Sequence, residues 1–245
     1  MKEKMIREII FNCSGWKAIQ RAGAMINMHH IFRQNYSDLE QLLKKIHDDI
    51  NVTKEVNQAS FIHLEQYIFN YLASSSALID LSRKMMDNYK NTELYKIYKL
   101  KTKEVFDNGL SNFIRKLRNY QTHYKLAFPY TVRSLEDNTS WDVVFIAHDL
   151  LEHPEQWNAQ AKEFIRASGE EINVNKTFAE YSRLVDAFYM WLYAKLDEYH
   201  KDDIKERNYL VKMANIDIPE FSFNPQRISV AECERVLKNT TNNDN

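Results

Sequence analysis

Apolar side chains recur at helical spacing over most of the chain. Leu39, Leu42, Leu43 and Ile46 step by three and four after a Ser37/Glu40 pair, a capping-box spacing that predicts a helix beginning near residue 37. Phe61, Leu64, Ile68, Tyr71, Leu72, Leu78, Leu81 and Met85 continue the period and predict an amphipathic helix of about seven turns. Its centre, Ala73-Ser74-Ser75-Ser76-Ala77, is small enough to admit a second helix closely. Glu93 to Phe106 predicts the next helix, which Asn108-Gly109 stops, and a further one runs from a Ser111 cap to about Tyr124. Helical spacing returns from Glu155 to Ser168, ended by Gly169. It returns again from Thr177 to about Met213, where Tyr181, Leu184, Val185, Phe188, Leu192 and Leu196 share one face. The first 36 residues read as helix interrupted at Gly15 and Gly23.

The period breaks in the middle. Phe128-Pro129 ends a helix, because the residue before proline avoids helical dihedrals. Tyr130 to Leu135 and Trp141 to Ala147 are β-branched and aromatic around Glu136-Asp137-Asn138, which predicts a short hairpin. After Ile218-Pro219 the chain reads as irregular, with Asn239 to Asn245 a disordered tail. The expected architecture is all-α, a helical bundle with one small β-hairpin insertion. Its organisation is an N-terminal helical extension (1–36), a helical domain (37–215) and an irregular C-terminal segment (216–245).

Composition agrees with this outline. Four Gly and four Pro in 245 residues are too few for a sandwich, barrel or doubly wound fold. The formal net charge of −1 gives the whole chain no strong field. Its distribution is uneven, however: Leu81 to Arg133 holds twelve Lys/Arg and four Asp/Glu, so the rest is markedly acidic. Cys13 and Cys233 form no CxxC pair, and the N-terminal apolar run is broken by charges. No stretch approaches the roughly 18 apolar residues of a membrane span, so a cytoplasmic protein with no membrane partner is expected.

The informative segment lies in the basic region, at Phe113 to Tyr124. Phe113, Leu117, Tyr120 and Tyr124 fall on one stripe, which docks the helix on a core. The opposite face presents Arg118, Thr122, Arg115, Asn119, His123 and Lys116. Asn119 and His123 are four apart and within reach of each other. Arg118 and His123, five apart, flank the polar face from its two sides. Two such helices about a two-fold axis would set Arg118 of one copy beside His123 of the other.

Arg118-Asn119-Tyr120-Gln121-Thr122-His123 resembles the R-(polar)-xxx-H signature of the HEPN superfamily. The small-residue helix around Tyr71 to Asp80 and the proline-terminated segment after His123 are similar to uncharacterised bacterial HEPN-like proteins. The likeness covers about residues 60–130. It implies an all-helical homodimer and a metal-independent endoribonuclease of the kind found in toxin–antitoxin and antiviral defence systems. RNA would be the substrate, an antitoxin or regulatory protein a partner, and no cofactor would be required. In the catalytic set it implies, His123 is the base for the 2′-hydroxyl, Arg118 the cation for the phosphate, and Asn119, one turn before His123, orients the imidazole or the phosphate. Arg115, Lys116 and Tyr124 are the substrate-binding residues, through backbone contacts and base stacking. Asp80 is a weaker candidate for an acidic partner.

Other chemistry finds less support. His148-Asp149 is a His-Asp pair without the further ligands a phosphohydrolase centre needs, and His148 and His153 are five apart, wrong for a helical zinc pair. His29-His30 are adjacent and point apart. No phosphate-binding glycine loop or nucleophile-elbow motif is present. Trp141, Trp157 and Trp191 read as core or interface anchors. From other functional classes, the alternatives are a non-catalytic HEPN-like dimerisation or nucleotide/RNA-binding module, and an interaction protein working through the aromatic helix from Tyr181 to Tyr199.

Overall fold

The computed structural model describes residues 2–53, 58–133 and 141–241. Ten α-helices and one three-stranded antiparallel sheet make up its regular structure, a mostly helical fold with a small β insertion. The described residues divide into two compact units of interleaved segments. One unit gathers 2–27, 81–101 and 184–241, and the other draws on 28–80 and 102–183.

α1 (Lys2–Asn12) and α2 (Ser14–Thr53) part at Cys13; α2 belongs to the first unit as far as Asn27 and to the second from Met28 on. Neither Gly15 nor Gly23 interrupts α2, and Ser37 is interior to it rather than a cap. The Ser37 hydroxyl instead accepts from Gln41 (3.1 Å). Gly15 serves close approach: a Cβ there would lie 2.3 Å from the carbonyl oxygen of Asp203. The later helices of the first unit are the end of α3 (Gln58–Met86), most of α4 (Glu93–Phe106), then α8 (Val174–Tyr199) from Leu184 on, α9 (Lys201–Met213) and α10 (Val230–Thr241).

The single long helix expected after Thr177 is divided at His200, whose backbone (φ −101°, ψ 17°) is not helical. Its buried imidazole donates from Nδ1 to the Asp203 carboxylate (2.9 Å), and its Nε2 accepts from the Tyr89 hydroxyl (2.9 Å). The C-terminal segment is not irregular to its end. Ser229 accepts the Glu232 N–H (3.2 Å) as a helix cap, and α10 buries Cys233 and Leu237 and continues to Thr241. The tail expected from Asn239 is therefore helical through Thr241, and its last residues lie outside the described ones.

In the second unit the small centre of α3 meets α8. Tyr71 stacks on Phe178 at 5.0 Å, its hydroxyl is 2.8 Å from that of Ser182, and Ser75 and Tyr181 share a hydrogen bond of 3.1 Å. The hairpin forms as β1 (Tyr130–Arg133) against β2 (Trp141–Ile146), with Tyr130 opposite Val144. Its expected turn at Glu136-Asp137-Asn138 lies outside the described residues. A third strand, β3 (Glu171–Asn173), pairs with the other side of β2 and leaves β1 at the sheet edge. Between β2 and β3 run α6 (Ala147–Leu151), a 3-10 turn (Pro154–Gln156) and α7 (Ala159–Ala167). Gly169, at φ +80°, ends α7 in the left-handed region.

Candidate functional site

α5 (Gly109–His123) carries the Arg–His pair. Its cap is Asn108, not Ser111: the Asn108 carboxamide accepts the Ser111 N–H at 2.8 Å, a bond that stabilises a helix by about 1 kcal/mol. The apolar stripe docks as its spacing predicts. Phe113 stacks on Trp157 (5.7 Å) and Phe164 (5.0 Å), Leu117 is buried, and Tyr120 stacks on Trp157 (5.3 Å). Beneath this aromatic layer Asn112 ties α5 to α7. It donates to the Asn108 carbonyl (2.8 Å) and to Gln160 (2.7 Å), and it accepts from Asn158 (2.8 Å) and from the Arg115 guanidinium.

Tyr124 departs from the stripe. It lies past the helix end with φ −128° and ψ −80° and is 43% exposed, packing against Tyr120 (5.2 Å) and the His153 ring (4.4 Å). The helix thus ends with one aromatic side chain on the surface beside His123.

On the outer face, Asn119, Thr122 and His123 are exposed and Arg118 and Lys116 half-buried. Arg118 donates to the Asn119 carboxamide oxygen (3.2 Å), and Thr122 donates back to the Arg118 carbonyl (2.8 Å). Asn119 therefore holds the guanidinium; it makes no hydrogen bond to His123, which the four-residue spacing had allowed. Among the described residues the His123 ring has no hydrogen-bond partner. Arg115 is exposed but has one amino group committed to Asn112, which turns it towards α7. Asp80 is exposed on α3.

The segment 147–156, which carries the His148-Asp149 pair, adjoins the end of α5. Glu152 pairs with Lys125 (3.2 Å) and holds that ammonium above its ordinary range. Asp149 accepts the Tyr130 hydroxyl and, with burial, raises that phenol. His153 stands 3.6 Å from Glu155 and covers Tyr124, so it belongs to the rim of this face. Among the described residues no three His, Cys, Asp or Glu side chains gather as a metal group, and no helix is long and apolar enough to cross a membrane.

The unit also has a cavity of about 520 Å³ lined by Lys44, His47, Trp141 and Asn175 among others. His47 donates there from Nδ1 to the Trp141 carbonyl (2.8 Å). No residue of α5 lines it.

Two features of the site were not singled out from the sequence, although both have a signal there. From Gly109 to Arg133 there are five Lys/Arg and no Asp or Glu. Three residues after His123, large apolar side chains begin to alternate with small ones, at Leu126, Ala127, Phe128, Pro129 and Tyr130. No protein-family model, curated protein or solved structure matches the chain.

Proposed function

We propose that the chain is a metal-independent endoribonuclease of HEPN type. The observation that carries this reading is the outer face of α5, where an unpartnered imidazole, His123, shares the surface with a guanidinium, Arg118, held by Asn119, in a stretch without a carboxylate. A phosphodiester chain is the polyanion such a face accepts, and among the described residues no carboxylate pairs with Arg118, which leaves the guanidinium available to it.

In the reaction, His123 takes the proton of a ribose 2′-hydroxyl and the 2′-oxygen attacks the adjacent phosphorus. Arg118 stabilises the charge on the non-bridging oxygens, and the P–O5′ bond breaks. The products are a 2′,3′-cyclic phosphate and a 5′-hydroxyl, whose proton comes from water or from an acid on the opposite side. Two copies arranged about the polar faces of α5 would supply that second side. We place the protein in the cytoplasm, where Cys13 and Cys233 stay reduced as free thiols. A toxin or antiphage role with a silencing partner is the setting the resemblance suggests.

The test is incubation of purified protein with total cellular RNA in EDTA, beside His123→Ala and Arg118→Ala, with the cut ends mapped. Cleavage by wild type that leaves cyclic phosphates, and falls at least a hundredfold in either variant, is expected. Cleavage that needs added magnesium and leaves 3′-hydroxyls would sink the mechanism. No cleavage alongside retained RNA binding would favour the non-catalytic module.

A further inference from the structure

The cavity in the second unit has chemistry of its own. It holds about 520 Å³, within the roughly 300–1,000 Å³ of small-molecule sites. Its position follows from the sheet. β1 pairs with β2 from Trp141 to Val144, whereas β3 reaches only Val144 to Ile146. On the β3 side, the edge of β2 at residues 141–143 is therefore left without a strand, and α2 and the start of α8 close around it. Glu40, Leu43, Lys44 and His47 line the cavity from α2, at the spacing of a single helix face. Leu43 and Val143, both buried, and the half-buried Trp141 give it an apolar side.

The charges around this cavity are not spent on one another. Glu40 stands one turn before Lys44, the favoured order for an ion pair, yet neither has an ionic partner among the described residues. The Glu40 carboxylate accepts only the neutral Tyr36 hydroxyl (3.0 Å). Asp142, on β2, has no ionic partner among the described residues either. His47 donates its Nδ1 proton to the Trp141 carbonyl (2.8 Å), and a carbonyl can only accept, so the neutral ring keeps its lone pair on Nε2. That nitrogen has no partner among the described residues.

One cation, two carboxylates and an imidazole acceptor suit a ligand that carries both signs. The two acids turn away a phosphate or a nucleic-acid strand, and Lys44 marks a place for one anionic group. Among the described residues these acceptors do not gather as a metal group, so they stand as separate hydrogen-bond acceptors. The apolar side calls for a hydrophobic body next to the charges. A small molecule with these parts is an apolar α-amino acid.

We propose that this cavity binds a free α-amino acid with a large apolar side chain. The ligand carboxylate meets Lys44, its ammonium lies among the acceptors of Asp142, Glu40 and His47, and its side chain packs on Leu43, Val143 and Trp141. The inference goes beyond the nuclease reading and stands apart from it, since no residue of α5 lines the cavity.

The test is calorimetric titration with L-phenylalanine, L-leucine and L-tryptophan, beside two fragments of the first. Phenethylamine lacks its carboxylate and 3-phenylpropionate lacks its ammonium. At least one amino acid is expected to bind with Kd below about 1 mM, a modest affinity for a ligand of this size. Both fragments are expected to bind at least about tenfold more weakly than L-phenylalanine, the order for loss of one charged hydrogen bond. Lys44→Ala is expected to weaken the amino acid about tenfold and leave phenethylamine within about twofold, whereas Asp142→Asn weakens both. Thermal unfolding of the two variants checks that the fold is intact.

No binding of any of the three amino acids at 10 mM, on the order of ten times the expected Kd, would overturn the site. A fragment that binds as tightly as L-phenylalanine would overturn the pairing of both charges. Unchanged amino-acid affinity in both folded variants would place the binding elsewhere and overturn it as well. RNA cleavage, present or absent, alters none of these outcomes, so the two readings fail separately.

Discussion

Asn112 shows how much of the site one buried amide organises. Its side chain is 3% exposed, and both its polar atoms are fully used, towards Asn108, Gln160, Asn158 and Arg115. Asn112→Ala leaves those partners without it inside the α5–α7 contact, where an unpaired buried polar group costs about 1–3 kcal/mol. We expect urea unfolding to show a loss of about 2–3 kcal/mol, and a change below 0.5 kcal/mol would mean that water replaces the amide there. The same bond gives part of the Arg115 donor fork an acceptor, although the residue lies on the exposed polar face of α5. Among the described residues the Arg118 guanidinium hydrogen-bonds only to the neutral Asn119, which aims it without neutralising it.

Among the helices, what was legible in the chain depended on whether periodicity or packing set the boundary. Glu93–Phe106 begins and ends where its pattern does, and the buried stripe Phe113, Leu117 and Tyr120 follows from spacing alone. The Ser37 cap failed because a capping-box spacing is also an ordinary helical i, i+3 pair, and apolar residues on both sides of it continue into the core. Strand β3 is three residues long and gains its identity only by pairing with β2, a contact no local pattern encodes. Helix α10, by contrast, carried a legible signal in Ser229 and Glu232. The two glycines of α2 differ in kind, and their alanine variants should differ in sign. A Cβ at Gly15 would meet the Asp203 carbonyl at 2.3 Å, where backbone must move, whereas one at Gly23 meets nothing within 4 Å. Gly15→Ala is expected to destabilise by about 1–3 kcal/mol through overpacking. Gly23→Ala is expected to stabilise by up to ~1 kcal/mol through helix propensity. Paired urea titrations check this, and equal shifts in one direction would refute the close approach of α9.

Over the whole molecule, a net charge of −1 conceals a carboxylate-free strip within an otherwise acidic chain, so electrostatic behaviour near neutral pH is local rather than global. The alkaline limb of stability is governed by a different set of groups. Burial raises the phenol of Tyr181, against a smaller lowering by its bond to Ser75, and burial likewise raises that of Tyr89. Unfolded tyrosines ionise near pH 10, while these two keep their protons to higher pH in the native state. Unfolding above pH 10 therefore releases protons. The stability these groups contribute is whole below that pH and declines as pH rises through their folded values, by up to ~1.4 kcal/mol per pH unit for each. Tyr181→Phe removes one such group together with its hydrogen bond to Ser75. Its stability should lie about 1 kcal/mol below wild type at pH 8, from the lost bond. The gap should then narrow from pH 10 to 11, because phenylalanine has no proton to release. Urea unfolding at half-unit steps between pH 8 and 11 measures both effects. Parallel curves for the two proteins would mean that Tyr181 ionises as readily inside the fold as outside it, which its burial beside Ser75 forbids.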